Sequence, residues 1–241
     1  MRISLVIPAY DEQAYLPQLL ASVQTARQRY IHGADAIEVI VADNVSTDRT
    51  AEIAKEYGCQ VAAVEKRCIA AARNGGAAAA QGAILCYIDA DSRIAPETFN
   101  VIDQAMGTGK VAIGATGVIP DRMSAGIRVA LVVGEWLGRL MDADTGVVFC
   151  RREDFLAVGG YDESRLAAED LDLLYRLKAY GGQQGRRFVR LPAVKAVTST
   201  RKFDKLGEWH ALPMLIRVGW QMRFDKKAFE RSARNYWYED R

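Results

Sequence analysis

The sequence predicts an α/β domain with a mainly parallel central sheet flanked by helices. From Ile3 to Pro120, short β-branched runs alternate with helix-period patterns, the order that yields parallel strands joined by crossover helices. The run Ala83 to Ile88 is apolar throughout, as a strand covered on both faces requires. With 241 residues, 50% hydrophobic and 26% charged, the chain can bury a sizeable core as one domain.

Each element has its own reason. Ile3 to Ile7 forms the first strand, and Leu16, Leu19, Leu20 and Val23 share one face of the helix after it. Glu38 to Ala42 is the second strand. Ser46, Thr47 and Asp48 form a helix-start cluster, and that helix runs to Tyr57 with Gly58 in the stop position. Cys59 to Val64 is a third strand and Ile69 to Gln81 an alanine-rich helix. Gly75 and Gly76 weaken that helix by about 1 kcal/mol each, which implies close packing or a ligand approaching the backbone.

Past Pro120 the alternation fades. Met123 to Met141 reads as an amphipathic to fully buried helix, Gly146 to Arg151 as a strand, and Ala168 to Tyr180 as a helix. Arg187 to Leu191 and Val194 to Thr198 read as two more strands. The stretch 201–241 is expected to be a basic, aromatic helical extension packed on the domain formed by 1–200.

Asp89 and Asp91 emerge from the tip of the apolar strand, where a carboxylate is costly unless solvated, paired or bound to a cation. They either cap the helix at Pro96 and Glu97 or hold a divalent metal and a nucleotide ligand. Asp43 ends the second strand and either caps the next helix or accepts a hydrogen bond from a base N–H. Glu169, Asp170 and Asp172 open a helix, where acids complement the dipole. The preceding loop, Gly159-Gly160-Tyr161-Asp162-Glu163, could carry that helix start over a ligand.

Several chemistries are excluded. Pro8-Ala9-Tyr10-Asp11-Glu12 after the first strand lacks the glycines of a dinucleotide fingerprint, and Gly109-Lys110 sits in no Walker pattern. A diphosphate would therefore need a metal on Asp89 and Asp91 together with Lys66, Arg67 or Arg73. Only His32 and His210 are present, which rules out a His-rich zinc site. Cys59, Cys68, Cys86 and Cys150 show no CxxC pairing and read as buried thiols of a reducing cytoplasm. No signal peptide is expected before the first strand, and no stretch reaches the roughly 18 apolar residues of a membrane span. Residues 1–175 carry 16 basic and 24 acidic side chains, whereas 176–241 carry 16 and 6, so the last quarter attracts anions.

Together these segments resemble the family 2 glycosyltransferases, inverting enzymes of the GT-A fold. The resemblance rests on Val6 to Glu12, Val41-Ala42-Asp43 with Ser46-Thr47-Asp48, Ala72-Arg73-Asn74-Gly75-Gly76, Asp89-Ala90-Asp91, Gly159 to Glu163, and Glu169-Asp170-Leu171-Asp172, in that order. It implies that Pro8, Tyr10 and Glu12 line a nucleotide pocket, Asp43 reads the base, and Lys66 and Arg73 contact phosphate. Asp91, with Asp89, would bind Mn2+ or Mg2+; Asp170 would be the catalytic base and Glu169 would shape the acceptor site. The implied reaction moves a sugar from a nucleoside-diphosphate sugar to an acceptor hydroxyl. Two departures stand out: Val197-Thr198-Ser199-Thr200-Arg201 replaces a stretch where members often carry a metal-binding His, and Asn44-Val45 lacks the common glycine.

Two other readings compete. A nucleotidyltransferase would share the architecture, but Pro8 to Glu12 lacks its glycine and basic loop. A non-catalytic binding module would use the acids as caps, with Trp209, Trp220 and Trp237 beside basic residues resting on a membrane surface. No nucleic-acid-binding module accompanies the basic tail.

Overall fold

A computed structural model of the protein describes residues 2–165 and 168–209. In chain order the elements are β1 (Ile3–Ala9), α1 (Leu16–Gln28), β2 (Ile37–Asp43), α2 (Thr50–Glu56), β3 (Gln60–Ala63), α3 (Ile69–Ala79), β4 (Ile84–Tyr87), β5 (Ser92–Arg93) and α4 (Thr98–Gly107). They continue with β6 (Val111–Ala115), β7 (Val118–Pro120), α5 (Ala125–Leu140), β8 (Val148–Arg151), α6 (Arg152–Ala157), α7 (Glu169–Gly182), β9 (Arg187–Arg190), β10 (Ala196–Thr198) and α8 (Arg201–Leu206).

Seven strands form the main sheet in the order β3-β2-β1-β4-β8-β6-β9, and β5-β10-β7 form a small second sheet. β1 is parallel to both β2 and β4, while β8 runs antiparallel to β4 and β6. The chain leaves β1 toward β2 on one side and returns to β4 on the other. The crevice beyond the C-terminal ends of β1 and β4 is thus the switch point where open α/β sheets take ligands.

Strand alternation divides the core. Ile3, Leu5 and Ile7 pack with Leu16, Leu19, Leu20 and Val23 of α1 and with Phe99 and Ile102 of α4. Val6, Leu85 and Tyr87 face the other way, onto α3 and onto Leu173, Leu174 and Leu177 of α7. The alanine-rich sequence of α3 lets it lie close to the sheet. A Cβ at Gly75 would strike Val64, and one at Gly76 would strike Val6, so both glycines serve packing rather than a ligand.

One expectation fails at α5. Of this helix only the start, at Gly126 and Ile127, is buried, whereas Val129, Val132, Trp136 (63% exposed) and Leu140 face outward. Among the described residues no element covers the outward apolar side chains of this helix. A periodicity reading registers that content without knowing where the sheet ends. The expected extension begins as the short helix α8; Trp220, Trp237 and the rest of 210–241, expected to continue it, lie outside the described residues.

Candidate active site

The ends of β1 and β4, the start of α3 and the starts of α7 and α8 enclose an open cleft of about 1050 Å³. Its walls include Pro8, Tyr10, Glu12, Asn44, Arg67, Arg73, Asp89, Asp91, Glu169, Asp170, Arg201 and Lys202. The two acidic segments that the sequence holds apart therefore share one space.

Arg73 joins them. It projects from α3 and is buried; its Nη1 donates to Glu169 Oε1 at 3.0 Å and Asp170 Oδ1 at 2.7 Å, and its Nη2 donates to Asp89 Oδ1 at 3.2 Å. The Tyr161 ring lies 5.2 Å from the guanidinium. Burial works against the Arg73 charge, yet the surrounding carboxylates hold its pKa well above the ordinary value. Burial likewise raises the pKa of Glu169, with the Asp170 charge adding and Arg73 opposing. The side chain of Asp170 is 48% exposed and that of Asp89 61%, so both present carboxylate to the cleft. Arg73 thus organises the acids of the cleft that it also lines.

The neighbours of Arg73 explain the rest of its motif. Asn74 donates to the Tyr161 carbonyl at 2.9 Å and to Glu163 at 3.0 Å, and accepts from the Tyr161 N–H at 2.9 Å. Tyr161 is buried against Tyr87 and Phe155. The Gly159 to Glu163 loop is accordingly anchored to α3 through Asn74. Directly before α7, Ala168 adopts φ 59°, a left-handed conformation that costs an L-residue about 1–2 kcal/mol. That turn aims Glu169 and Asp170 inward.

At the end of β1, Pro8 and Tyr10 line the cleft, and Arg67 stacks over the Tyr10 ring at 4.1 Å. Asp43 does not line the cleft surface, but its Oδ1 is buried with no hydrogen-bond partner among the described residues. A buried acceptor left open in this way suits a ligand N–H. Asn44 clamps the loop before α3 by donating to the carbonyls of Val64 and Lys66 and accepting from the Cys68 N–H. Val45 takes φ 65°, a conformation that a glycine would adopt freely. Lys66 departs from expectation: its ammonium binds Glu163 at 2.8 Å, and it does not line the cleft. Arg67, the next residue, takes that place.

Arg201 went unread. Its Nη1 and Nη2 donate to both oxygens of the buried Glu12, at 2.9 and 2.7 Å, and its Nε lies 3.0 Å from Asp91 Oδ2. The signal was available, since a cation stands where a metal-binding His was expected.

Asp89 and Asp91 are carboxylates, the ligand type that a divalent ion such as Mn2+ or Mg2+ takes. Among the described residues no group of three or more His, Cys, Asp or Glu side chains could form a fuller cage. The donor set fits a divalent ion held jointly with a ligand.

A family model, glycosyl transferase family 2, matches residues 4–147. The chain belongs to this family. The matched part includes the Asp89 and Asp91 pair and stops short of Glu169 and Asp170. The chain is 46% identical over 59 residues to 4,4'-diaponeurosporenoate glycosyltransferase of Staphylococcus haemolyticus, covering 24% of this chain and 14% of that one. It covers between 14% and 34% of the length of the curated relatives it matches. The S. aureus TarS 1-349 structure with UDP-GlcNAc superposes with TM-score 0.65 at 20% identity, over 83% of this chain and 59% of that one. Glucosyl-3-phosphoglycerate synthase from Mycobacterium tuberculosis, with Mn2+, UDP and glucosyl-3-phosphoglycerate, does so with TM-score 0.62 at 21% identity, over 90% and 79%. This family 2 chain therefore has the GT-A fold that its sequence resembles.

Proposed function

We propose that the cleft transfers a sugar from a nucleoside-diphosphate sugar to an acceptor hydroxyl with inversion at the anomeric carbon. The single observation carrying this reading is the Arg73 bridge, which sets Asp89 beside Glu169 and Asp170. A donor-side acid and a base-side acid then lie within reach of one sugar.

An alcohol is a weak nucleophile near neutral pH, so a carboxylate must take its proton as the new bond forms. Asp170 fills that role: Arg73 occupies one oxygen and fixes the carboxylate, and the second has no protein partner among the described residues. The acceptor oxygen attacks the anomeric carbon, the bond from that carbon to the phosphate oxygen breaks, and the electron pair leaves with the nucleoside diphosphate. A single displacement inverts the centre and needs no covalent sugar–enzyme intermediate. Glu169 buttresses Asp170 and shapes the acceptor side. Tyr10 and Pro8 flank the nucleotide, Asp43 accepts from the base, and Arg67 meets the phosphates. Asp89 and Asp91 would hold Mn2+ or Mg2+, which when bound offsets the charge of the leaving diphosphate.

The UDP-GlcNAc, UDP and Mn2+ bound by the structural neighbours agree with this reading. All four cysteines are free, in keeping with work in a reducing cytoplasm. No helix of the described residues is long and apolar enough to cross a membrane. A screen of nucleotide sugars with Mn2+, read by thermal stabilisation and product analysis, tests the proposal. Nucleoside diphosphate should be released; pyrophosphate as product would favour a nucleotidyltransferase instead.

A further inference from the structure

The contacts of Arg201 go beyond lining a pocket. β10, which leads into Arg201, pairs antiparallel with β5, which follows Asp91 directly, and Thr198 stands opposite Ser92. Thr200 donates its N–H and hydroxyl to Asp121 Oδ1 at 3.0 and 2.7 Å, fixing the start of α8. The small sheet therefore holds the guanidinium against Asp91. Glu12 is anchored as well, since its N–H donates to Thr50 Oγ1 at 2.8 Å. The Tyr15 ring lies 4.7 Å from the guanidinium carbon.

The same Asp91 carboxylate is offered to a divalent ion in the reading above. Arg201 cancels one of the two negative charges of the Glu12 and Asp91 pair, and a second cation brought to Asp91 meets repulsion from the first. A diphosphate changes that balance by giving both cations a further anion. Arg201 stays beside the phosphate region because Glu12 grips it with two parallel hydrogen bonds, the strongest geometry a guanidinium offers.

We propose that Arg201 is a positioning residue that competes with the divalent ion for Asp91 and turns toward the donor diphosphate when the two arrive together. Metal binding then depends on the nucleotide, and the coupling is reciprocal: the ion must tighten nucleotide binding by the same factor. This rests on the nucleoside-diphosphate reading of the cleft.

The test is Mn2+ titration of the full chain by calorimetry and by the electron paramagnetic resonance of free Mn2+, with no nucleotide, with UDP and with GDP. In the wild type, whichever nucleotide binds should tighten Mn2+ by roughly 5–150-fold, the usual span of such coupling. Arg201→Gln should bind Mn2+ without nucleotide about tenfold more tightly than wild type, and its enhancement by nucleotide should shrink accordingly. Arg201→Lys, whose single ammonium cannot span Glu12 and Asp91 together, should fall between them and serves in its place if the Gln variant does not fold. Unchanged nucleotide-free Mn2+ affinity in the folded variants, with nucleotide-dependent Mn2+ binding intact in the wild type, overturns the role of Arg201 and leaves the proposed function standing. Wild-type Mn2+ affinity that ignores the nucleotide also overturns that role. Absence of Mn2+ binding from every protein, with UDP and with GDP, removes the metal reading and this inference together.

Discussion

Two arginines divide the cleft, and they differ in what encloses them. Arg73 is buried within a ring of three acids drawn from β4 and α7, with an aromatic ring beside it. Arg201 sits nearer solvent, its side chain 23% exposed, and bridges two acids that follow β1 and β4. A guanidinium sealed among carboxylates is fixed, because removing either sign leaves a charge stranded in the interior. One that reaches water can exchange its outer partner, Asp91, while the buried Glu12 keeps its two hydrogen bonds. On the proposed function, that difference would give Arg73 an architectural part beside Asp170 and Arg201 an adjusting part beside Asp91.

The largest test of this division is Asp170→Asn. Arg73 keeps its other two carboxylates, so the fold and donor binding should persist while kcat falls by roughly 10²–10⁴, the range for a lost acid–base group. Steady-state kinetics on the true acceptor, alongside donor titration, read the split; unchanged kcat would take Asp170 out of the base role. Next comes stability. Arg73→Met leaves Glu169 buried without its cation and should cost about 3–5 kcal/mol, a Tm drop of at least roughly 6 °C for a chain of this size. Arg201→Gln also leaves a buried acid, Glu12, without its cation, but the new amide can still donate a hydrogen bond to it, so the loss by the same melting measurement should be smaller. Equal losses would erase the distinction between a fixed and an exchangeable arginine.

Local patterns were legible in the sequence and distant partnerships were not. The apolar runs of β1, β2 and β4 and the spaced leucines of α1 and α7 mark themselves, because each answers to burial along a single element. The acids at the tips of β4 and α7 were readable for the same reason. Arg73 meets Glu169 across 96 residues of chain, and Arg201 meets Glu12 across 189. No periodicity carries such information, so the pairing of Arg73 with the acids, of Lys66 with Glu163 and of Arg201 with Glu12 could not be read from it. The outward apolar face of α5 is the same failure in packing form: composition records hydrophobic content, and only topology says whether a partner lies opposite.

The smallest effect would separate Glu169, in the Arg73 ring, from Glu163, which Asn74 and Lys66 hold. Burial holds the Glu169 pKa above its ordinary 4.5, so the folded state binds its proton more tightly than the unfolded chain does. Its contribution to stability is fully present below pH 4.5 and is lost as pH rises through the folded value. Glu163, at the far end of the same wall, is the opposite case: hydrogen bonds from Asn74 and Lys66 lower its pKa, so its contribution is lost as pH falls below its ordinary 4.5. Glu169→Gln should therefore flatten the decline of Tm above pH 4.5, by less than about 1.4 kcal/mol per pH unit, and leave the acid limb alone. Glu163→Gln should flatten the acid limb and spare the other. Matching profiles for the two variants would mean that Arg73 neutralises Glu169 completely, and the base-side ring would then be no more strained by burial than the surface wall that Asn74 holds in place.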